Sequence, residues 1–216
     1  MPTPAENPNS RSSIQVITFD HQRRILFHLA LPLLFLSLAS QARAQGAVLE
    51  LDPVQTQIGF MLGDVLHTVH GVFKLRQGTI KFDAATGQAS GLVVVDATSG
   101  DSGSHARDHK MHKEVLRSDQ YPDITFTPLQ VQDQVLSKGD FKVQVLGTFT
   151  MHGAGHPLTL VVQAHIEGDQ LTANTSFSVP YVSWGLKNPS TLCLRVNNTV
   201  EIAIQAVGHI KLLAAR

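Results

Sequence analysis

The chain has 216 residues, with 17 Lys and Arg against 17 Asp and Glu, 43% hydrophobic residues and a single cysteine. Without a basic stripe, nucleic acid is excluded as a natural partner, and nothing favours an anionic membrane surface. One cysteine rules out an intramolecular disulfide, so the fold must rest on its own core, which a chain of this size can build.

Met1 to Gln22 carries no periodicity. Arg23-Arg24 then precedes an apolar run from Ile25 to Leu38, and Ala42-Arg43-Ala44 stands before Gln45. Basic, apolar and Ala-x-Ala segments in that order form a secretory signal peptide, with cleavage expected after Ala44. The run is short for a bilayer span, which needs about 20 residues, and it contains Pro32. The expected division is therefore a leader over 1–44 and one domain over 45–216, periplasmic or secreted, with no membrane span after cleavage. The mature part carries 13 Lys and Arg and 15 Asp and Glu, a net charge near −2.

Period-two alternation dominates that domain. Thr56, Ile58, Phe60 and Leu62 share one parity; so do Ile80 and Phe82, and Phe141, Val143, Val145, Gly147 and Phe149. Leu158, Leu160 and Val162 follow, then Val200, Ile202 and Ile204. Such rows predict half-buried antiparallel strands. Short Gly-bearing turns lie between them at Ala84–Gly87, Ser137–Asp140, His152–Gly155 and Glu167–Asp169, which predicts a meander of neighbouring strands. From Ser99 to Asp119 the alternation stops. Ser104 can cap a helix running from His105 to about Arg117, with Met111, Val115 and Leu116 on its apolar face and Pro122 beyond its end. Eight to ten strands without paired cysteines fit either a sandwich or a closed barrel.

Catalytic motifs are missing. No Gly-x-Ser-x-Gly elbow, phosphate loop or dinucleotide fingerprint occurs, so no enzyme activity and no catalytic residue are assigned. Cys193, in an apolar Leu-Cys-Leu run, reads as a buried small hydrophobe. His105 and His109 stand at i, i+4 near Asp108 and His112 and offer an alternative: a metal- or haem-binding module. A Gly/Ser-flanked loop helix fixes ligand orientation poorly, so a solvated polar helix face is the preferred reading and no metal ligand is assigned. His67 with His70, and His152 with His156, read as turn or surface residues.

A series of local patterns runs through the domain in order. Leu51-Asp52-Pro53 leads to Thr56-x-Ile58-x-Phe60 and Val69-His70-Gly71-x-Phe73. Gly78-x-Ile80-x-Phe82-Asp83 and Arg107-Asp108-x-x-Met111 follow. Tyr121-Pro122-x-Ile124-Thr125-Phe126, Gly147-x-Phe149-Thr150-x-His152-Gly153, Pro157-Leu158-x-Leu160 and Trp184-Gly185-Leu186 complete the series. In this order, over Val48 to about Ile210, the chain resembles the YceI-like family of exported, polyisoprenoid-binding, lipocalin-like barrels. It departs from the pattern at Gln55-Thr56, where the family has His-Ser, and at Trp184, where it has Phe. Tyr181 or Ser183 stands where the family's last motif carries Arg. The resemblance implies an all-β, eight-stranded antiparallel barrel with one helix-bearing insertion. It also implies an interior tunnel holding an isoprenoid or similar apolar lipid, such as a polyprenol or prenylated quinone, as a non-covalent ligand with no other cofactor.

Phe60, Phe73, Phe82, Phe126, Phe149 and Phe177 recur on one strand parity, and Gly59, Gly71, Gly78, Gly91 and Gly147 fall in or beside strands. Glycine there marks a bend or a close approach of ligand or backbone. With the resemblance, this places the expected ligand-binding wall at Ile58, Phe60, Leu62, Phe73, Phe126, Gly147, Phe149 and Phe177.

Overall fold

The computed structural model describes residues 46–64, 67–133, 135, 138–191 and 195–213. The leader with its cleavage site, and Cys193, lie outside the described residues. Nine strands form one antiparallel sheet: β1 (Gly46–Leu51), β2 (Gln57–Gly63), β3 (Thr68–Asp83), β4 (Ala89–Asp101), β5 (Asp123–Gln132), β6 (Gly139–Met151), β7 (Ala154–Glu167), β8 (Gln170–Val179) and β9 (Val200–Leu212). The barrel nonetheless has eight staves. β1 pairs with the end of β3 and the end of β9, whereas β2 pairs with the start of each. The two strands are one stave broken at Asp52–Thr56, and their shared pairing to β3 and β9 closes the sheet, which removes exposed edges.

The break is satisfied by side chains. The Asp52 carboxylate accepts the backbone N–H groups of Val54 and Gln55 at 2.7 and 3.1 Å and the Gln55 amide at 2.6 Å. These bonds, the Gln55 side chain first, hold its carboxyl below the usual carboxylate range. The Thr56 hydroxyl both donates to the Val207 carbonyl and accepts from the Val207 N–H, at 3.2 Å each. Gln55 and Thr56, the departures from the family pattern, thus stand in for missing ladder bonds. The β3–β4 turn is an Asx turn: Asp83 accepts from the N–H groups of Ala85 and Thr86, and Gly87 takes a φ of +71°.

The insertion between β4 and β5 begins with α1 (His105–Lys110) and continues as a π-helical turn over Met111–Leu116. Ser104 occupies the N-cap position without a side-chain capping bond. The anchoring instead comes from Asp108, which accepts from the Ser102 N–H (2.8 Å) and hydroxyl (2.6 Å), while Arg107 donates to the Ser102 hydroxyl and carbonyl. Burial opposes ionisation of Asp108, but these bonds and the neighbouring His112 and Arg107 outweigh it and lower its pKa. Widening to π turns Leu116 into the core, where it is 8% exposed, and Arg117 ends the helix in the left-handed region at φ +50°. Among the described residues no helix is long and apolar enough to cross a membrane.

The barrel core is divided. At one end lie the insertion, the β6–β7 turn and the segment after β8, packed as a cluster of Ala97, Leu116, Ile124, Phe126, Met151, Val179, Tyr181 and Leu186 with their neighbours. Lys187 pairs with Glu114, and Lys110 donates to the Pro189 carbonyl at 2.7 Å, which ties the insertion to the 180–191 segment. At the other end a smaller cluster joins Leu49, Ile166 and Leu171 to Leu51, Ile80, Phe141 and Ile210.

Candidate functional site

Between the two clusters the barrel encloses an apolar cavity of about 180 Å³. β4, β6, β7, β8 and β9 supply its middle, through Val93, Val143, Val145, Leu160, Ala173 and Ile204 among others. Among the described residues the only polar ones along it are Thr125 and Thr175, and the Thr175 hydroxyl is occupied, donating to the Val161 carbonyl at 2.9 Å. From Phe141 to Phe149 on β6 the lining follows about 27 Å of strand at ~3.4 Å per residue, or about 20 Å of axis at a tilt near 40°. A long, thin, dry space suits a slender apolar chain and no charged solute. A larger hollow of about 460 Å³ lies on the outer wall, among Asp140, Lys142, Gln163, His165, Thr172 and Asn174. It is open, and mostly outward-pointing residues build it; only Phe141 and Ala164 belong to both it and the interior cavity.

One row of small residues recesses the cavity wall toward the end held by the smaller cluster. Ala164 on β7 is the register partner of Ala173 on β8, which is in turn the partner of Ala206 on β9. All three line the space. Three alanines side by side on adjacent strands recess the wall where leucines or phenylalanines would fill it.

Of the residues expected at the ligand wall, Phe126, Phe149 and Phe177 line this cavity. They gather near the capped end, the Phe149 ring 5.9 Å from Phe177 at 71° and 5.8 Å from Trp184. Ile58 (5% exposed) and Phe60 (7%) are buried, but they stand outside the lining, as do Leu62 and Phe73. Phe60 stacks against Phe73 at 5.3 Å, and Leu62 and Phe73 pack on the larger cluster. The β2–β3 side of the interior is filled by the chain itself. Gly147 acts at one remove: a Cβ there would lie 2.5 Å from both Phe126 Cζ and the Thr127 carbonyl. Its bareness lets Phe126 lie across β6. Gly71 receives the Phe60 ring in the same way. What approaches these glycines is an aromatic ring of the protein, a pairing that makes good the packing glycine lacks. Phe82 and Phe141 line the cavity although neither stood among the residues expected at the ligand wall; their parity was visible, their depth along the axis was not.

The histidines divide. His105 and His109 are exposed on α1. His112 is a strut, with Nε2 2.9 Å from the Gly100 carbonyl and Nδ1 3.1 Å from the Ser118 hydroxyl. The carbonyl can only accept, so Nε2 carries the proton. Among the described residues no group of three or more His, Cys, Asp or Glu could hold a metal ion. His152 lies in the β6–β7 turn, as expected, and His156 falls in β7; both are half-buried, and the Nε2 of each is buried without a hydrogen-bond partner among the described residues. His152 packs on Tyr121 at 4.3 Å, and burial, with Arg117 adding a smaller effect, pushes its pKa down. His156 lies flat on the Trp184 indole, at 3.9 Å and 3°.

Fold and cavity define a class: a closed eight-stave antiparallel barrel with an apolar interior slot, capped at one end by a helical insertion. The YceI-like domain family model matches residues 49–208, and the chain belongs to that family. A UPF0312 protein of Pseudomonas savastanoi pv. phaseolicola is 33% identical over 150 residues, covering 68% of this chain and 74% of its own. Two solved structures share the fold. A polyisoprenoid binding domain from Saccharophagus degradans superposes with a TM-score of 0.62 at 14% identity, covering 76% of this chain and 98% of that one. BcnA of Burkholderia cenocepacia gives 0.60 at 18% identity, covering 73% and 98%.

Proposed function

We propose that this protein is a non-enzymatic carrier for a long apolar lipid of isoprenoid type, held in the barrel interior, and that it works in the periplasm or outside the cell after its leader is removed. The observation that carries the reading is the cavity between the two core clusters, about 180 Å³ and walled by apolar side chains. A filled barrel of this size would have one continuous core; here the core falls into two clusters, with a recess of alanines beside the smaller one. The structural likeness to a domain named for polyisoprenoid binding supports a branched chain. Burying on the order of 500 Å² of such a chain favours binding by up to about 12 kcal/mol, of which association and chain ordering remove a large part. Micromolar to nanomolar affinity then needs no strong polar contact.

The test is native mass spectrometry of the protein purified from its own host, followed by solvent extraction. A bound species with the mass and fragmentation of a prenyl lipid is expected. Protein that never retains lipid, even when offered prenols in excess, would end the carrier reading; a metal or haem adduct would favour a module built on the loop histidines.

A further inference from the structure

We propose that His156 is the polar anchor of the ligand: its imidazole hydrogen-bonds a neutral oxygen at one end of the lipid, so that the lipid lies with its oxygen-bearing head toward the capped end of the barrel. The inference rests on the reading of the cavity as a lipid site and goes beyond it by assigning the ligand's direction and the chemistry of its head.

Three observations converge on this residue. First, position. His156 is the register partner of Phe149, and directly paired residues of an antiparallel ladder project to the same side of the sheet. Phe149 lines the cavity, as do Leu158 and Leu160, the next residues of the same parity on β7. His156 therefore continues the inward row at the capped end, beside Phe149 and just beyond the cavity lining. Second, an unmet valence. Its Nε2 is buried and has no hydrogen-bond partner among the described residues, and a buried polar atom left so bears an uncompensated desolvation penalty. A ligand oxygen would remove that penalty. Third, orientation. The imidazole lies parallel to the Trp184 indole at 3.9 Å, and Trp184 in turn rests on Phe149. Stacking holds the ring plane, so the free nitrogen is presented in a fixed direction.

The same surroundings select the head. Among the described residues no charged side chain lines the cavity, and the nearby cations of the cap are engaged elsewhere: Lys187 with Glu114, Lys110 with the Pro189 carbonyl, and Arg117 with the Gln120 side chain and over the Tyr121 ring. A diphosphate brought there would lose its hydration without gaining a counter-charge. A hydroxyl or a carbonyl needs a single hydrogen bond, and one imidazole supplies it as donor or acceptor according to its tautomer. A prenol and a prenylated quinone share this chemistry.

Trp184 is the only tryptophan in the chain and touches the proposed anchor, so its fluorescence reports directly on the head. The full mature protein, delipidated, is titrated with geranylgeraniol, a short-chain prenylquinone and the oxygen-free hydrocarbon of the same skeleton as geranylgeraniol. Wild type should bind the alcohol or the quinone about tenfold more tightly than the hydrocarbon, as one net hydrogen bond of ~1.4 kcal/mol requires, and only the oxygenated lipids should shift Trp184 emission. His156→Leu should bind all three with the hydrocarbon's affinity and lose the selective shift; His156→Gln, which keeps a donor and an acceptor, should restore part of the preference. Which oxygenated lipid responds separates hydroxyl from carbonyl. If wild type binds hydrocarbon and alcohol equally, or if folded His156→Leu keeps the preference, the anchor is refuted while the carrier reading stands. If no lipid binds to wild type, the carrier reading fails and the anchor with it.

Discussion

Replacing Ala173 by leucine should empty the barrel of lipid and stabilise the empty protein at the same time. Ala173 stands at the centre of the recess, with Ala164 and Ala206 on either side as its register partners. Leucine adds three methyl-sized groups, each taking roughly the ~30 Å³ of a liquid water molecule. Together they fill a large part of so narrow a slot. A chain threaded past this point would have to overlap them. The added carbons meet apolar neighbours, and at ~0.8 kcal/mol per buried methylene they contribute about 2 kcal/mol. Small flanking residues keep the overpacking penalty low. At 2–4 °C per kcal/mol for a domain of this length, the lipid-free variant should melt about 4–8 °C above lipid-free wild type. Thr172→Leu, one residue away on the exposed outer face, is the control and should leave lipid content unchanged. The assay is extraction and mass analysis of lipid per mole of protein, with calorimetry of delipidated samples. Ala173→Leu protein that folds, melts at or above wild type and still carries a full complement of lipid would show that the cavity is not the ligand's path.

Gly147→Ala should destabilise the barrel by more than a surface substitution does, about 2 kcal/mol or more, because its Cβ would lie 2.5 Å from the Thr127 carbonyl and from Phe126; an unchanged urea midpoint would contradict the close approach. His152 has a depressed pKa, so the unfolded chain binds protons that the folded one refuses as the pH drops below ~6.5. Stability should be full well above that value and fall as the pH drops through and below it. His152→Asn, which tolerates the φ of +53°, should flatten this part of the melting-temperature profile; a variant as pH-sensitive as wild type would assign the effect elsewhere. Amino-terminal sequencing of protein from the periplasm or medium should begin at or near Gln45, whereas an intact 25–38 segment in membrane-bound protein would reverse the export reading.

Strand parity was legible in the chain because a β-strand repeats every two residues, and the inward rows of β6 and β7 follow directly from Phe141–Phe149 and Leu158–Val162. The turns were legible for a similarly local reason: Asp83 and Gly87 carry their own turn chemistry. So was the helix after Ser104, although its widening into a π turn answers to the core position of Leu116, not to local propensity. Motif order gave the family. Parity, however, says which side a residue faces and not how far along the axis it lies. Phe60 and Phe149 are indistinguishable by alternation; one fills the β2–β3 wall and the other lines the cavity, because register and closure set their heights. Ala164, Ala173 and Ala206 look unremarkable in sequence and become a recess only when β7, β8 and β9 align them. β1 and β2 look like two strands and act as one stave, since only pairing with both β3 and β9 shows that they share a place. His156 looked like a turn residue, and the ladder to Phe149 turned it inward. Local periodicity thus determined the elements and the faces they present, while non-local pairing, which no single segment encodes, decided where the interior stays open.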